Sequence, residues 1–363
     1  MKVKKILHVT GVRNLGSGQR NQLVYESNSA KEIKNIEWKT LALHSGEIKE
    51  SFERGIPKYL DFILIRNAFF WIIVFKLRKK YDLILFRHLT FDPFTFIFSP
   101  LIKNRVGVHH SKEIEELKLI RKGLKGRLAS FIERITGKFS VKNSLYIAGV
   151  TEEIALYERD ERKAKKPIIV YPNGIEIKNI KLLKDNRDDS INILFICSHF
   201  AEWHGLDILL NSLNEYEGEK SFFIHLIGNL TDTQKIMISN NKYLKKIIIH
   251  GAMSVDEYYT IASKCDVGLG SLAMYRQNLK EGSTLKVREM LAMGLPVYSG
   301  HRDASLDTSF KYYKYSNTFI FDDLLRYADN FKLNTRLDVR KCAEKFIDKK
   351  NIMQKFIADI ENI

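Results

Sequence analysis

Cysteine is scarce: three residues in 363, Cys197, Cys265 and Cys342. Their spacing fits no metal or redox motif, which excludes a disulfide-stapled or zinc-held scaffold. Reduced, buried thiols in the cytosol are expected. Long apolar runs are missing as well. A membrane-spanning helix needs about 20 apolar residues. The nearest candidate, 62–65 with 68–75, is interrupted by Arg66 and Asn67 and ended by Lys76, Arg78, Lys79 and Lys80. After the basic opening with Lys4 and Lys5, the apolar stretch 6–9 is too short for a signal-peptide core and reads as a first strand. No short repeat and no low-complexity tract is present. The turn between Gly11 and Gly18 lacks the G-x-G-x-x-G spacing, and no acidic residue is well placed after a second strand, which disfavours a dehydrogenase.

What is present is an ordinary globular composition with an unusual charge. With 363 residues, 45% of them hydrophobic, two domains with ample core are the simplest reading. A net charge of +16 calls for an acidic partner: nucleic acid, an anionic membrane face or a phosphorylated substrate. Basic residues crowd one region: Lys103, Arg105, Lys112, Lys118, Arg121, Lys122, Lys125, Arg127, Arg134, Lys138 and Lys142. Leu119, Ile120, Leu124, Leu128, Phe131, Ile132 and Ile135 lie between them at near-helical spacing. This pattern suits an anionic bilayer surface. It equally suits a helix with its apolar side in the core, and periodicity leaves both open. Aliphatic rather than aromatic interleaving disfavours single-stranded nucleic acid.

Strand and helix patterns alternate through both halves. The first half predicts strands at 5–10, 37–43, 82–86, 105–109, 144–148 and 168–171. Helices are predicted from Gln19, over 58–80, from the end of the fourth strand to about 139, and over 151–158. A break at Pro172, Asn173 and Gly174 opens a polar segment to Ser190. The pattern then restarts, with strands at 191–197, 222–227, 246–250 and 266–269 and helices at 206–213, 256–262 and 285–293. The succession predicts two Rossmann-like α/β halves with parallel sheets and ligands at the carboxyl ends of the strands.

The richest stretch runs from Glu281 to Ser299. Gly282, Ser283 and Thr284 read as a helix start, small and with hydroxyls able to cap. Leu285 to Met293 continue as helix, Gly294 closes it and Pro296 forbids its extension. Free amides at a helix start attract phosphate. Glu289 falls roughly 7–8 Å inside that end, a spacing that suits a carboxylate gripping the ribose of a nucleotide. Glu281, on the loop, would face whatever the diphosphate carries.

Glu281 and Glu289 with seven residues between them, followed by Ala292-Met293-Gly294-Leu295-Pro296, resemble the donor-site signature of retaining GT-B glycosyltransferases of the group 1, family-4-like type. The turn Pro172-Asn173-Gly174 resembles the one that ends the first domain there. Residues 193–207, with Trp203-His204-Gly205, resemble the opening of the second domain in a polysaccharide-biosynthesis branch. His199 and His204 occupy positions where that class usually has arginine and lysine, a departure, since neutral histidine is the weaker phosphate ligand. The resemblance spans nearly the whole chain and is most specific between 168 and 300.

It implies a GT-B fold: two Rossmann-like domains facing each other across a cleft. Residues 1–178 would bind the acceptor and 179–340 the nucleotide sugar, and 341–363, within a last helix over 338–360, would pack back toward the first domain. Catalysis would involve Glu281 at the donor sugar and either His109 or His110. The donor site would hold Glu289 on ribose, Ser283, Thr284, Leu285 and Lys286 at the diphosphate with His199 and His204 beside it, and backbone near Gly251 and Met253 at the base. Arg276 and Lys280 would add charge, and Gly16 and Gly18 would allow close backbone approach, although a plain structural turn fits them equally. Arg87, His88 and Lys112 are the acceptor candidates. Paired histidines have metal-binding chemistry, but no third ligand of suitable spacing follows them, so neither metal nor cofactor is expected.

The reading is therefore a retaining, metal-independent transferase using a nucleotide-diphosphate sugar. Its acceptor would be a saccharide, expected to be lipid-linked, in surface polysaccharide (capsule or lipopolysaccharide) assembly. It would be cytoplasmic, with peripheral contact to the anionic inner face of the cell membrane. Two other readings stand beside it: a sugar-nucleotide epimerase on the same fold, and a non-catalytic binder of nucleic acid or membrane suggested by charge alone.

Overall fold

The computed structural model describes residues 3–121, 123–303 and 305–362; Lys122 of the basic stretch lies outside them. The chain divides into two compact units, Met1–Glu176 with Asp348–Ile363, and Ile177–Ile347.

In the first unit seven strands form one parallel sheet: β1 Lys5–Gly11, β2 Glu37–His44, β3 Glu53–Gly55, β4 Leu83–Arg87, β5 Arg105–His109, β6 Ile147–Gly149 and β7 Ile168–Val170. Their order is β3-β2-β1-β4-β5-β6-β7. Ile6, Val9, Leu83, Ile84, Leu85 and Val106 are wholly buried. Strands covered on both faces need continuous apolar runs, and these have them. The order reverses at β1, which pairs with β2 on one side and β4 on the other. The crevice beyond the carboxyl ends of β1 and β4 is where such a sheet takes a ligand.

The second unit repeats the plan with β8 Ile191–His199, β9 Phe222–Asn229, β10 Ile247–Gly251, β11 Val267–Leu269, β12 Val297–Ser299 and β13 Tyr313–Tyr315. The order β10-β9-β8-β11-β12-β13 reverses between β8 and β11. Ile193, Phe195, Leu209, Leu226, Val267, Leu269 and Tyr298 fill its core. The architecture is α/β with two parallel Rossmann-like sheets, as expected.

Several local expectations need correction. The first helix covers Ser17–Ala30, so Gly18 lies in its first turn. The 58–80 helix is shorter, Ile63–Leu77, because Phe62 stays extended and Arg78 turns back onto the Phe75 carbonyl at 2.5 Å. Two three-residue edge strands, β3 and β13, were not foreseen. The closing helix is two helices, Arg336–Ile347 and Lys349–Glu361. Asp348 breaks it: its backbone is extended and its carboxylate accepts the Lys350 and Asn351 amides at 3.0 and 3.4 Å. The first of the pair belongs to the second unit and the other to the first.

The basic stretch forms helices Glu113–Ile120 and Leu124–Lys142. Leu124, Leu128, Phe131 and Ile135 of the longer helix are all exposed, Leu124 to 82%. Its inner face is Ala129, Ser130, Glu133, Thr136, Gly137 and Ser140. The apolar stripe therefore lies outside, among exposed Lys125, Arg127, Arg134 and Lys138. Arg105 does not belong to that surface. It is fully buried on β5 and donates to Ser99 and Ser140, and burial pushes its pKa down to about 9. Cys197 and Cys265 are buried, but Cys342 is exposed.

Candidate functional site

In the second unit the helix Leu285–Met293 begins at Thr284, as expected, and ends at Gly294, whose φ of +89° is the left-handed closure that glycine supplies. The expected hydroxyl cap is absent: Thr284 makes no side-chain cap, and its buried Oγ1 has no hydrogen-bond partner among the described residues. Arg288 anchors the helix, wholly buried and paired with Asp303 at 2.6 and 3.2 Å.

Glu289 is half-buried on this helix. No hydrogen bond or ion pair to its carboxylate occurs among the described residues, and burial alone pushes its pKa up to about 7. Lys286, in the first turn, points at the end of β8. Its Nζ lies 3.6 Å from Cys197 Sγ and 5.3 Å from the Phe195 ring centre, with no carboxylate partner among the described residues. His204 is close to it. Burial, then the charges of Lys286 and His199, push His204 down to about 3, so it is neutral. Its Nδ1 accepts the Ala201 amide at 3.0 Å. His199 is exposed at the end of β8. Lys286, His204 and His199 therefore gather beside the helix start.

Glu281 is 9% exposed and lies 3.5 Å from Arg302. Its loop is fixed by backbone bonds from Gly282 to Arg302 at 2.8 Å and from Arg302 to Lys280 at 2.9 Å. Lys280 itself is exposed. Beneath Gly282 sits His301, a residue the sequence reading passed over. A Cβ at Gly282 would stand 2.7 Å from His301 Nε2. Burial pushes His301 down to about 4. Its Nδ1 lies 3.1 Å from the Ser271 carbonyl and 2.8 Å from Ser299 Oγ, and its buried Nε2 has no partner among the described residues. Since a carbonyl only accepts, Nδ1 carries the proton and Nε2 is a free acceptor under the loop. Its position just past β12 was the available signal.

Arg276 is engaged elsewhere. Its guanidinium is paired with Asp207 at 2.9 and 2.6 Å and donates to the Glu202 carbonyl at 2.8 Å. Gly251 ends β10 at φ +74°, with Met253 two residues on.

In the first unit the two adjacent histidines part company. His109 turns into the interior, 1% exposed. Its Nδ1 is 3.1 Å from both Glu113 oxygens and its ring stacks on His88 at 4.5 Å. Burial, then the His88 charge, push it down to about 3. His110 faces the other way, into two adjoining recesses beyond β1, β4 and β5. Arg87 lines both as well, and no hydrogen bond to its guanidinium occurs among the described residues. His88 is held by Glu133 at 2.8 Å, and Lys112 by Glu153 at 2.7 Å. Gly16 caps the helix Ser17–Ala30, and a Cβ on it or on Gly18 would meet nothing within 4 Å.

The third ligand that sequence spacing did not show exists in space: His109, Glu113 and Glu158 lie within 4.8 Å of one another. Arg162 closes that group, with Nε 2.6 Å from Glu158 and Nη2 2.9 Å from Glu133. Burial, then Glu113, push Glu158 up to about 8. The group is thus a buried proton-holding cluster neutralised by an arginine.

No family model matches the sequence, and no curated protein matches it. Similarity appears in three dimensions. The structure of a lipopolysaccharide outer core galactosyltransferase, WaaB, superposes with TM-score 0.64 at 11% identity, covering 99% of this chain and 100% of that one. A glycosyltransferase from Rickettsia africae gives 0.65 at 13%, covering 99% and 98%. Anabaena HepE, solved with UDP and glucose, gives 0.64 at 12%, covering 99% and 100%. The chain has the GT-B glycosyltransferase fold.

Proposed function

We propose that the protein is a nucleotide-sugar-dependent glycosyltransferase whose donor site is built on the helix Leu285–Met293. The observation that carries this is Glu289: a half-buried carboxylate without a partner among the described residues, about a turn and a half inside a helix start flanked by Lys286. Burying a carboxylate costs stability unless something repays it, and two ribose hydroxyls are well suited to do so. The solved likeness of HepE with UDP and glucose supports the same reading.

In this account the donor diphosphate rests on the Thr284 and Leu285 amides, the helix dipole and Lys286, with His199 and the neutral His204 as hydrogen-bond partners. Glu281 positions the sugar. The bond between the anomeric carbon and the diphosphate oxygen breaks, and the acceptor oxygen bonds to the same face. The acceptor proton passes to the departing diphosphate. Retention, a lipid-linked acceptor and polysaccharide assembly rest on the motif resemblance. Docking of the first unit on an anionic bilayer is supported by the exposed stripe Leu124, Leu128, Phe131 and Ile135 among basic residues.

The test is turnover of a nucleotide sugar in the presence of mixed saccharide acceptors, with the product's anomeric configuration read by NMR. A new glycosidic bond of the donor's configuration is expected. An inverted bond would overturn retention, and a changed nucleotide sugar formed without acceptor would overturn transfer in favour of epimerisation.

A further inference from the structure

The recess at the reversal point of the first sheet is lined by His8 and Thr10 of β1, Arg87 at the end of β4, His110 after β5, and Glu26, Tyr171 and Lys349. Its charges are unevenly answered. Glu26 is saturated: it accepts His8 Nδ1 at 2.7 Å, Trp38 Nε1 at 3.1 Å, Thr40 Oγ1 at 3.1 Å and Tyr171 Oη at 2.7 Å, with Lys349 Nζ at 3.7 Å. Burial opposes ionisation of Glu26, but these contacts hold its pKa down at about 2. The one carboxylate in the recess is therefore ionised and spent on its neighbours.

Two polar groups are left over. His8 is 5% exposed; with Nδ1 committed to Glu26, its buried Nε2 has no partner among the described residues. Arg87 offers a planar fork of N–H donors, and nothing in the described structure accepts from it. Glu113 and Glu116 influence it from the neighbouring recess, but neither makes an ion pair with it. Glu113 is turned to His109 and Glu116 takes the Ser111 hydroxyl.

We propose that this recess is the seat of an anionic substituent, a carboxylate or phosphate, on the substrate bound by the first unit. Arg87 holds it by its guanidinium fork and His110 donates a ring N–H to it, while His8 Nε2, an acceptor because Nδ1 donates to Glu26, takes a hydroxyl of the same substrate. A half-buried guanidinium without an acceptor is matched by a two-oxygen anion and by no neutral sugar hydroxyl to the same degree. The acceptor of the proposed transfer is then an acidic saccharide or sugar phosphate. Only that last step rests on the glycosyltransferase reading; the anion site itself does not.

The test is calorimetric titration of the full-length protein with glucuronate, inorganic phosphate and uncharged glucose, comparing wild type with Arg87→Gln, Arg87→Lys and Lys286→Gln. Glucuronate is expected to bind wild type and Lys286→Gln alike, and about tenfold or more weaker to Arg87→Gln; phosphate binding that survives Lys286→Gln should show the same dependence on Arg87. Arg87→Lys, which keeps the charge but not the fork, should fall between and stands in if the glutamine variant does not fold. Dependence of glucuronate on Arg87 assigns a carboxylate, and of phosphate a phosphoryl group. Anion binding lost only in Lys286→Gln, glucose binding as tightly as glucuronate, or no anion binding to wild type would each overturn the proposal. A failed donor titration with intact Arg87-dependent binding would sink the glycosyltransferase reading while leaving the anion site.

Discussion

Lys286 Nζ stands 3.6 Å from Cys197 Sγ, joining the first turn of the helix Leu285–Met293 to the end of β8. Burial lowers the Lys286 pKa, and no carboxylate answers it among the described residues. Replacing it by glutamine should weaken nucleotide-sugar binding about tenfold to a hundredfold, read by calorimetry. Cys197→Ser should leave affinity near the wild-type value. Equal loss in both variants would mean that the pair is a packing contact.

Glu289 makes both stability and affinity depend on pH. Its folded pKa of about 7 lies above the ordinary 4.5. The folded state thus binds the proton more tightly, so this group's stabilisation is full below about 4.5 and is lost as pH rises through about 7. Glu289→Gln should be more stable than wild type at pH 8, by about 1–3 kcal/mol, with the gap closing toward pH 5. Nucleotide affinity should run the opposite way, rising from pH 6 to 8 in wild type, because ribose hydroxyls donate to the ionised form. Urea unfolding and calorimetry at several pH values check both slopes.

The main elements were legible because their residues obey a local period. Helix Leu285–Met293 was placed to the residue, bounded by Thr284 and by Gly294 ahead of Pro296. Strand β5 was equally clear. What escaped depends on partners remote in sequence. Arg276 reads as a spare cation beside a phosphate helix, yet it is spent on Asp207, 69 positions away. His109 and His110 are interchangeable on paper; the end of β5 sends one to Glu113 and the other to the recess. The break at Asp348 hides in an amphipathic pattern that continues through it. Strands β3 and β13, three residues each at sheet edges, have too little apolar content to announce themselves. His301 is a lone histidine until the fold puts it under Gly282.

Arg162 serves a buried cluster and no ligand. Arg162→Met would leave Glu133 and Glu158 without their cation, and should cost about 3–5 kcal/mol in urea unfolding. Because burial raises the Glu158 pKa to about 8 and Arg162 supplies a positive charge beside it, the cluster lacks the net negative charge a divalent cation needs, and chelator treatment should change neither stability nor turnover. Loss of either on chelation, restored by a divalent cation, would reassign the His109, Glu113 and Glu158 cluster as a metal site.

The exposed stripe on Leu124–Lys142 predicts binding to vesicles containing anionic lipid at low salt, weakening as salt rises. Leu128→Asp with Phe131→Asp should abolish co-sedimentation and leave nucleotide affinity unchanged. Binding to neutral vesicles of equal strength, or no effect of the substitutions, would contradict a basic apolar docking face.

The most direct measurement is a titration of the purified protein with a panel of nucleotide-diphosphate sugars, alongside Glu289→Ala. The account predicts that one donor binds and stabilises the wild type, and that the variant loses at least about tenfold in affinity while remaining folded. Equal binding by Glu289→Ala, or no donor binding to wild type, would contradict a nucleotide-sugar site on this helix.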